Sequence, residues 1–107
     1  MAGQRVGYRL SDPDPSDAPA VAVWRGFVRD GRIVRLPARR GRRLVLLDAV
    51  AQLFEPGLRY PEREVDRRLR DLHPDHASLR RHLVDEQFMD RDHNVYWRSG
   101  GRVPRRD

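Results

Sequence analysis

Ala20, Val23, Trp24, Phe27 and Val28 fall at i, i+3, i+4, i+7 and i+8, the spacing of one buried helix face. Asp17 stands where a carboxylate can cap that helix, and Asp30-Gly31 ends it, since Gly31 can take a left-handed conformation. The same Asp-Gly pair is a strong hairpin signal, so a hairpin turning there is the rival reading. The helix is preferred because five positions fit its period. Arg32-Ile33-Val34-Arg35-Leu36 then predicts a short strand, stopped by Pro37. From about Arg40 to Phe54 apolar residues surround most of a helix, with only Asp48 and Gln52 marking a polar side, which places it centrally. Glu55-Pro56-Gly57 breaks it.

A third helix is predicted over about Glu62–Leu72. Pro61 suits its start, Glu62 and Glu64 complement the dipole, and Val65, Leu69 and Leu72 form its apolar face. After the turn Leu72-His73-Pro74, Asp75 caps a fourth helix through about Glu86. Ala77, Leu79, Leu83 and Val84 share one side of it; Ser78, Arg81, His82 and Asp85 share the other. Phe88–Arg91 and Val95–Arg98 predict a hairpin joined by Asp92-His93-Asn94. Leu47, Val50, Val65, Leu69, Leu79, Leu83 and Trp97 are the expected core. The order is helix, strand, three helices, β-hairpin, an α+β pattern of winged helix-turn-helix type. The folded domain is expected over residues 17–98. Residues 1–16 are expected to form a disordered tail, because Ser11 to Asp17 hold three acids, two prolines and no apolar residue. Residues 99–107 are expected to form a basic flexible tail.

Composition narrows the function classes. The 107 residues suit one small domain with one modest core. No apolar run approaches the roughly 20 residues of a membrane span, and no signal peptide opens the chain, so a cytoplasmic protein without membrane association is expected. Cysteine is absent, which excludes disulfides, thiol catalysis and zinc ribbons. All 22 cations are arginine; the missing lysine excludes Schiff-base and P-loop chemistry. No paired-carboxylate or Ser/His/Asp arrangement stands out, so neither an enzyme nor a cofactor is expected. His73, His76 and His82 lack both the geometry and the soft ligands of a metal site. The net charge of +6 points to a polyanionic partner, although 16 acids make the surface a mosaic.

Leu36-Pro37-Ala38-Arg39, Phe54-Glu55-Pro56-Gly57, Tyr60-Pro61-Glu62-Arg63-Glu64-Val65, Leu79-Arg80-Arg81-His82-Leu83 and Tyr96-Trp97-Arg98 stand in order. As a set they resemble the bacterial domain-of-unknown-function family 2087, over about residues 20–98. Members of that family occur alone and behind helix-turn-helix regulator domains. The resemblance therefore implies regulation by association, with a regulator protein as an expected partner. Three positions depart from the family pattern. Pro61 stands where a capping Ser or Thr is usual, Asp66 where Asn is usual, and Gln87 where a helix-ending Gly is usual.

Arg63, Arg67 and Arg70 lie at i, i+4 and i+7 and form one stripe on the third helix. Guanidinium forks in such a stripe can grip phosphates. The competing reading is a solvated face in which Arg67 reaches Glu64 or Asp71 and Arg70 reaches Asp66. On the fourth helix, Ser78, Arg81 and His82 would face a major groove, with Asp85 opposing them. Arg91 and Arg98 would place the hairpin on the DNA backbone. Arg39, Arg40, Arg42 and Arg43 around Gly41 offer anion contact or a flexible basic loop. Arg80 projects within the apolar arc and is expected to be structural, pairing with a carboxylate such as Glu64. The expected function is duplex DNA binding or assistance to a regulator. The alternative is a winged-helix protein-interaction module without nucleic-acid binding. Acids on the fourth helix and hairpin would favour that alternative.

Overall fold

The computed structural model describes residues 7–102. Helix α1 spans Ala18–Phe27, and its start is capped by Asp17 Oδ1, which accepts from Ala20 N at 3.2 Å. It ends at Phe27, short of Asp30-Gly31, because the chain there turns a hairpin instead. Strands β1 (Val28–Arg29) and β2 (Arg32–Ile33) pair antiparallel, Val28 opposite Ile33 and Arg29 opposite Arg32. Asp30 and Gly31 both take positive φ, 53° and 75°, as a type I′ turn requires. The helical period and the hairpin signal were thus both correct, over adjoining residues. β2 also stops before Leu36, where the expected strand was to end.

Helix α2 covers Arg40–Ala51, with Leu46, Leu47, Val50 and Ala51 wholly buried. It ends three residues before Phe54. A short strand unforeseen in the sequence, β3 (Arg59–Pro61), precedes helix α3 (Glu62–Arg70). Pro61 supplies no side-chain cap, and the free Glu62 N–H donates instead to Asn94 O at 2.8 Å. Helix α4 (His76–Asp85) is capped by Asp75, whose carboxylate accepts from Ser78 N. It ends in a Schellman turn: Phe88 N donates to Leu83 O and Gln87 N to Val84 O. Gln87 takes φ 64°, the conformation for which glycine is favoured.

Strands β4 (Met89–Asp92) and β5 (Val95–Arg98) complete a three-stranded antiparallel sheet ordered β3-β5-β4. The β3–β5 register sets Tyr60 opposite Tyr96. Tyr96, 1% exposed, faces the core. Trp97 was expected there; strand alternation instead sends it to the other face, where the Arg59 guanidinium covers its ring at 4.3 Å. The other six expected core residues are all buried. The architecture is α+β, and the run α2-β3-α3-α4-β4-β5 is consistent with a winged-helix-like layout. α1 packs on α2.

Both chain ends depart from the expected tails within the described residues. Leu10 is buried, with its N–H donating to Gly31 O at 2.8 Å, and Tyr8 N donates to Asp71 Oδ2 at 2.9 Å. Residues 7–10 therefore lie on the domain, against the ribbon turn and the end of α3. Arg102 N donates to Asp48 Oδ1, so residues 99–102 return to α2. Residues 1–6 and 103–107, which hold the rest of both expected tails, lie outside the described residues. No helix among the described residues is long and apolar enough to cross a membrane.

Candidate nucleic-acid interface

Position on α3 separates the three stripe arginines. Arg63 and Arg70 are exposed, and neither meets a carboxylate within 4 Å among the described residues. Arg67 is neutralised: its Nε and Nη2 donate to the two Glu64 oxygens at 2.9 and 2.8 Å. The i,i+3 pairing thus prevails at the middle of the stripe, and Glu64 is held by arginines of its own helix rather than by Arg80. Arg68 also donates to Glu64, at 2.7 Å. The hydrogen bonds from Arg67 and Arg68 hold the Glu64 carboxyl down at about 2.

Arg80 does not reach Glu64. It bonds Asp66 through Nη1, and its Nε stands 3.9 Å from Glu62 Oε1. Glu62 in turn accepts from the Tyr96 hydroxyl at 2.8 Å, so this network ties α4 to α3 and β5. Burial is the largest single influence and opposes the charge on Arg80, but the Asp66 hydrogen bond and the nearby charges of Asp66 and Glu62 together outweigh it and raise the guanidinium above its ordinary value.

On α4, Arg81 is exposed, whereas Ser78 and His82 are half-buried. Arg81 has no carboxylate within 4 Å among the described residues. Asp85 is exposed on the same helix. In the hairpin, Arg91 is exposed and leans over the Tyr96 ring at 5.5 Å, with Asp90 and Asp92 exposed beside it. Positive charge therefore does not dominate α4 and the hairpin.

Arg98, expected on the DNA backbone, is a correction. It is 9% exposed and turns inward. Its guanidinium donates to Ala51 O at 3.0 Å, Phe54 O at 2.8 Å, Gly100 O at 2.9 Å and Arg102 O at 2.7 Å. It closes the carbonyl end of α2, where helix geometry leaves acceptors without partners. Burial lowers its pKa below the ordinary arginine value. Arg68, not singled out from the sequence, serves the same end of α2 by donating to Leu53 O at 2.7 Å. It sits among the rings of Tyr8, Tyr60 and Phe54, at 4.9, 4.8 and 5.6 Å. Its i,i+4 spacing from Glu64 was the one signal for it in the sequence; the three rings come from separate segments.

At the start of α2, Arg40 and Arg43 pair with Glu86 at 2.7 and 3.8 Å, while Arg39 and Arg42 are exposed. The four arginines thus divide between an anchor and a free surface. Among the described residues, no group of three His, Asp or Glu side chains is placed to hold a metal ion.

Residues 32–98 match a family described as "Uncharacterized protein conserved in bacteria (DUF2087)". The chain belongs to this family. The match runs from the second ribbon strand to the end of β5, so it takes in the whole winged-helix-like unit and leaves α1 outside. No curated protein and no solved structure gives a significant match.

Proposed function

We propose that this domain binds duplex DNA, holding the backbone more than reading bases. The observation that carries the reading is the set Arg63, Arg70, Arg81 and Arg91. All four are exposed and, among the described residues, free of carboxylate partners, on a helix pair and hairpin whose layout is consistent with a winged helix. Arginine in that setting contacts phosphates and contributes an affinity that falls steeply with salt. Asp85 repels phosphates along part of α4, which limits sequence readout to Arg81 with Ser78 and His82. Regulation of transcription, alone or with a regulator protein, is the role such binding would serve.

A second reading has its own support. Asp85, Asp90 and Asp92 are exposed on α4 and the hairpin, a mixed-charge surface suited to a protein partner. Fluorescence anisotropy with a labelled random duplex separates the two. DNA binding predicts a negative dependence of log K on log salt, with the slope reduced by about 0.9 in Arg63→Ala. Absence of binding at low salt, with the domain shown folded, would leave the protein-interaction reading.

A further inference from the structure

Residues 25–43 hold eight arginines and a single acid, Asp30. Arg40 and Arg43 are tied to Glu86, but Arg29, Arg32, Arg35, Arg39 and Arg42 are all exposed and meet no carboxylate within 4 Å among the described residues. The β1–β2 ribbon sharpens the point. Val28 and Ile33 face inward, so Arg29 and Arg32, directly opposite one another, share the outer face. Like charges paired across strands destabilise a sheet, and a two-residue ribbon has little else to hold it. Val34 N donates to Phe27 O at 2.8 Å, which carries the pairing one step further, to the last residue of α1. Val34 is 57% exposed, and Arg35 covers the Phe27 ring at 5.0 Å.

Two anchors fix where this segment runs. Ile33 N donates to Leu72 O at 2.9 Å, just before α4 begins, and Arg40 pairs with Glu86, just after it ends. Helix α4 is about 15 Å long, and the six residues between the anchors reach about 20 Å when extended. Residues 34–39 thus lead from the turn before α4 to the Glu86 end of that helix. Arg80 of α4 faces α3 and β5.

We propose that residues 29–42 form a second phosphate-gripping edge, which lies along the DNA backbone beside α4. The occupant is duplex DNA, chosen by charge complementarity and by the course of the edge from one end of α4 to the other. The proposal rests on the DNA-binding reading and adds contacts that carry no base information. It also accounts for the like-charged pair: an anion between Arg29 and Arg32 removes their repulsion.

The test uses the full chain, a labelled random duplex and salt from low to physiological. Arg29→Ala/Arg32→Ala should lower the salt slope by about 2, and should weaken binding about eightfold per lost contact at 0.1 M salt. Arg32→Glu should weaken binding further while its Tm stays at or above that of the wild type, because a cross-strand ion pair replaces the repulsion. Wild-type binding with an unchanged slope in the double variant would overturn the edge and leave the α3–α4 reading standing. A lowered Tm in Arg32→Glu would overturn the argument from like charge. No DNA binding by the wild type would overturn the reading itself, and the edge with it.

Discussion

Replacing Arg98 by Ala removes the donor that closes the carbonyl end of α2. Four carbonyls lose a partner, but they do not weigh equally. Gly100 O and Arg102 O lie in a partly exposed segment and can turn to water. Ala51 O keeps the bond it accepts from Phe54 N at 3.0 Å, so Phe54 O is the buried carbonyl left without a donor. Leaving a buried acceptor unsatisfied costs about 1–3 kcal/mol. One such loss and the lost packing of the buried stem, reduced by the relief of no longer burying a charge, give an expected destabilisation of about 2 kcal/mol. Arg98→Lys keeps the charge but cannot spread donors over carbonyls met by Nε, Nη1 and Nη2 together, so it should recover less than half of that loss. Urea denaturation is the assay, with the midpoint lowered and the m value unchanged. Losses under about 1 kcal/mol in both variants would refute the assignment of Arg98 to the interior.

Three further outcomes are expected. Arg80→Ala should lower Tm more than Arg81→Ala, because only Arg80 joins α4 to Asp66 and Glu62; equal values would contradict the network. The Glu64 carboxyl, held at about 2 against an ordinary 4.5, contributes stability that is present above pH 4.5 and lost as pH falls toward 2. Wild type and Glu64→Gln should therefore differ in urea midpoint near pH 6 and converge near pH 2, and a gap independent of pH would contradict this. Gln87→Gly should raise stability by about 0.5–1 kcal/mol in urea titrations, since left-handed strain at φ 64° outweighs the entropy cost of glycine; a loss would mean that the Gln87 side chain contributes more than its backbone costs.

Helices α1, α3 and α4 were legible from their periods, and α1 and α4 also from a chemical start: Asp17 and Asp75 both cap as their positions imply. Features set by distant pairing were not legible. Whether Tyr96 or Trp97 enters the core depends on the β3–β5 register, and β3 has only three residues, one of them proline. Leu10 stands alone among polar neighbours, so no periodicity marks its burial. Arg63, Arg98 and Arg68 are equivalent as letters in an arginine-rich chain. Orphan carbonyls at the end of α2 draw Arg98 and Arg68 inward, and those carbonyls become orphans only once the helix has ended. The choice of Asp66 over Glu64 by Arg80 follows from the placement of α4 against α3, which i,i+4 arithmetic within one helix does not reach.

The most direct measurement of the central claim is an NMR titration of the full chain with a random-sequence duplex at low salt. DNA binding through the helix pair and hairpin predicts backbone amide shifts at Arg63, Arg70, Ser78, Arg81 and Arg91, with Arg98 and Arg80 little changed and all shifts reversed by added salt. A spectrum unchanged by excess DNA, or shifts that leave α3, α4 and the β4–β5 hairpin untouched, would contradict it.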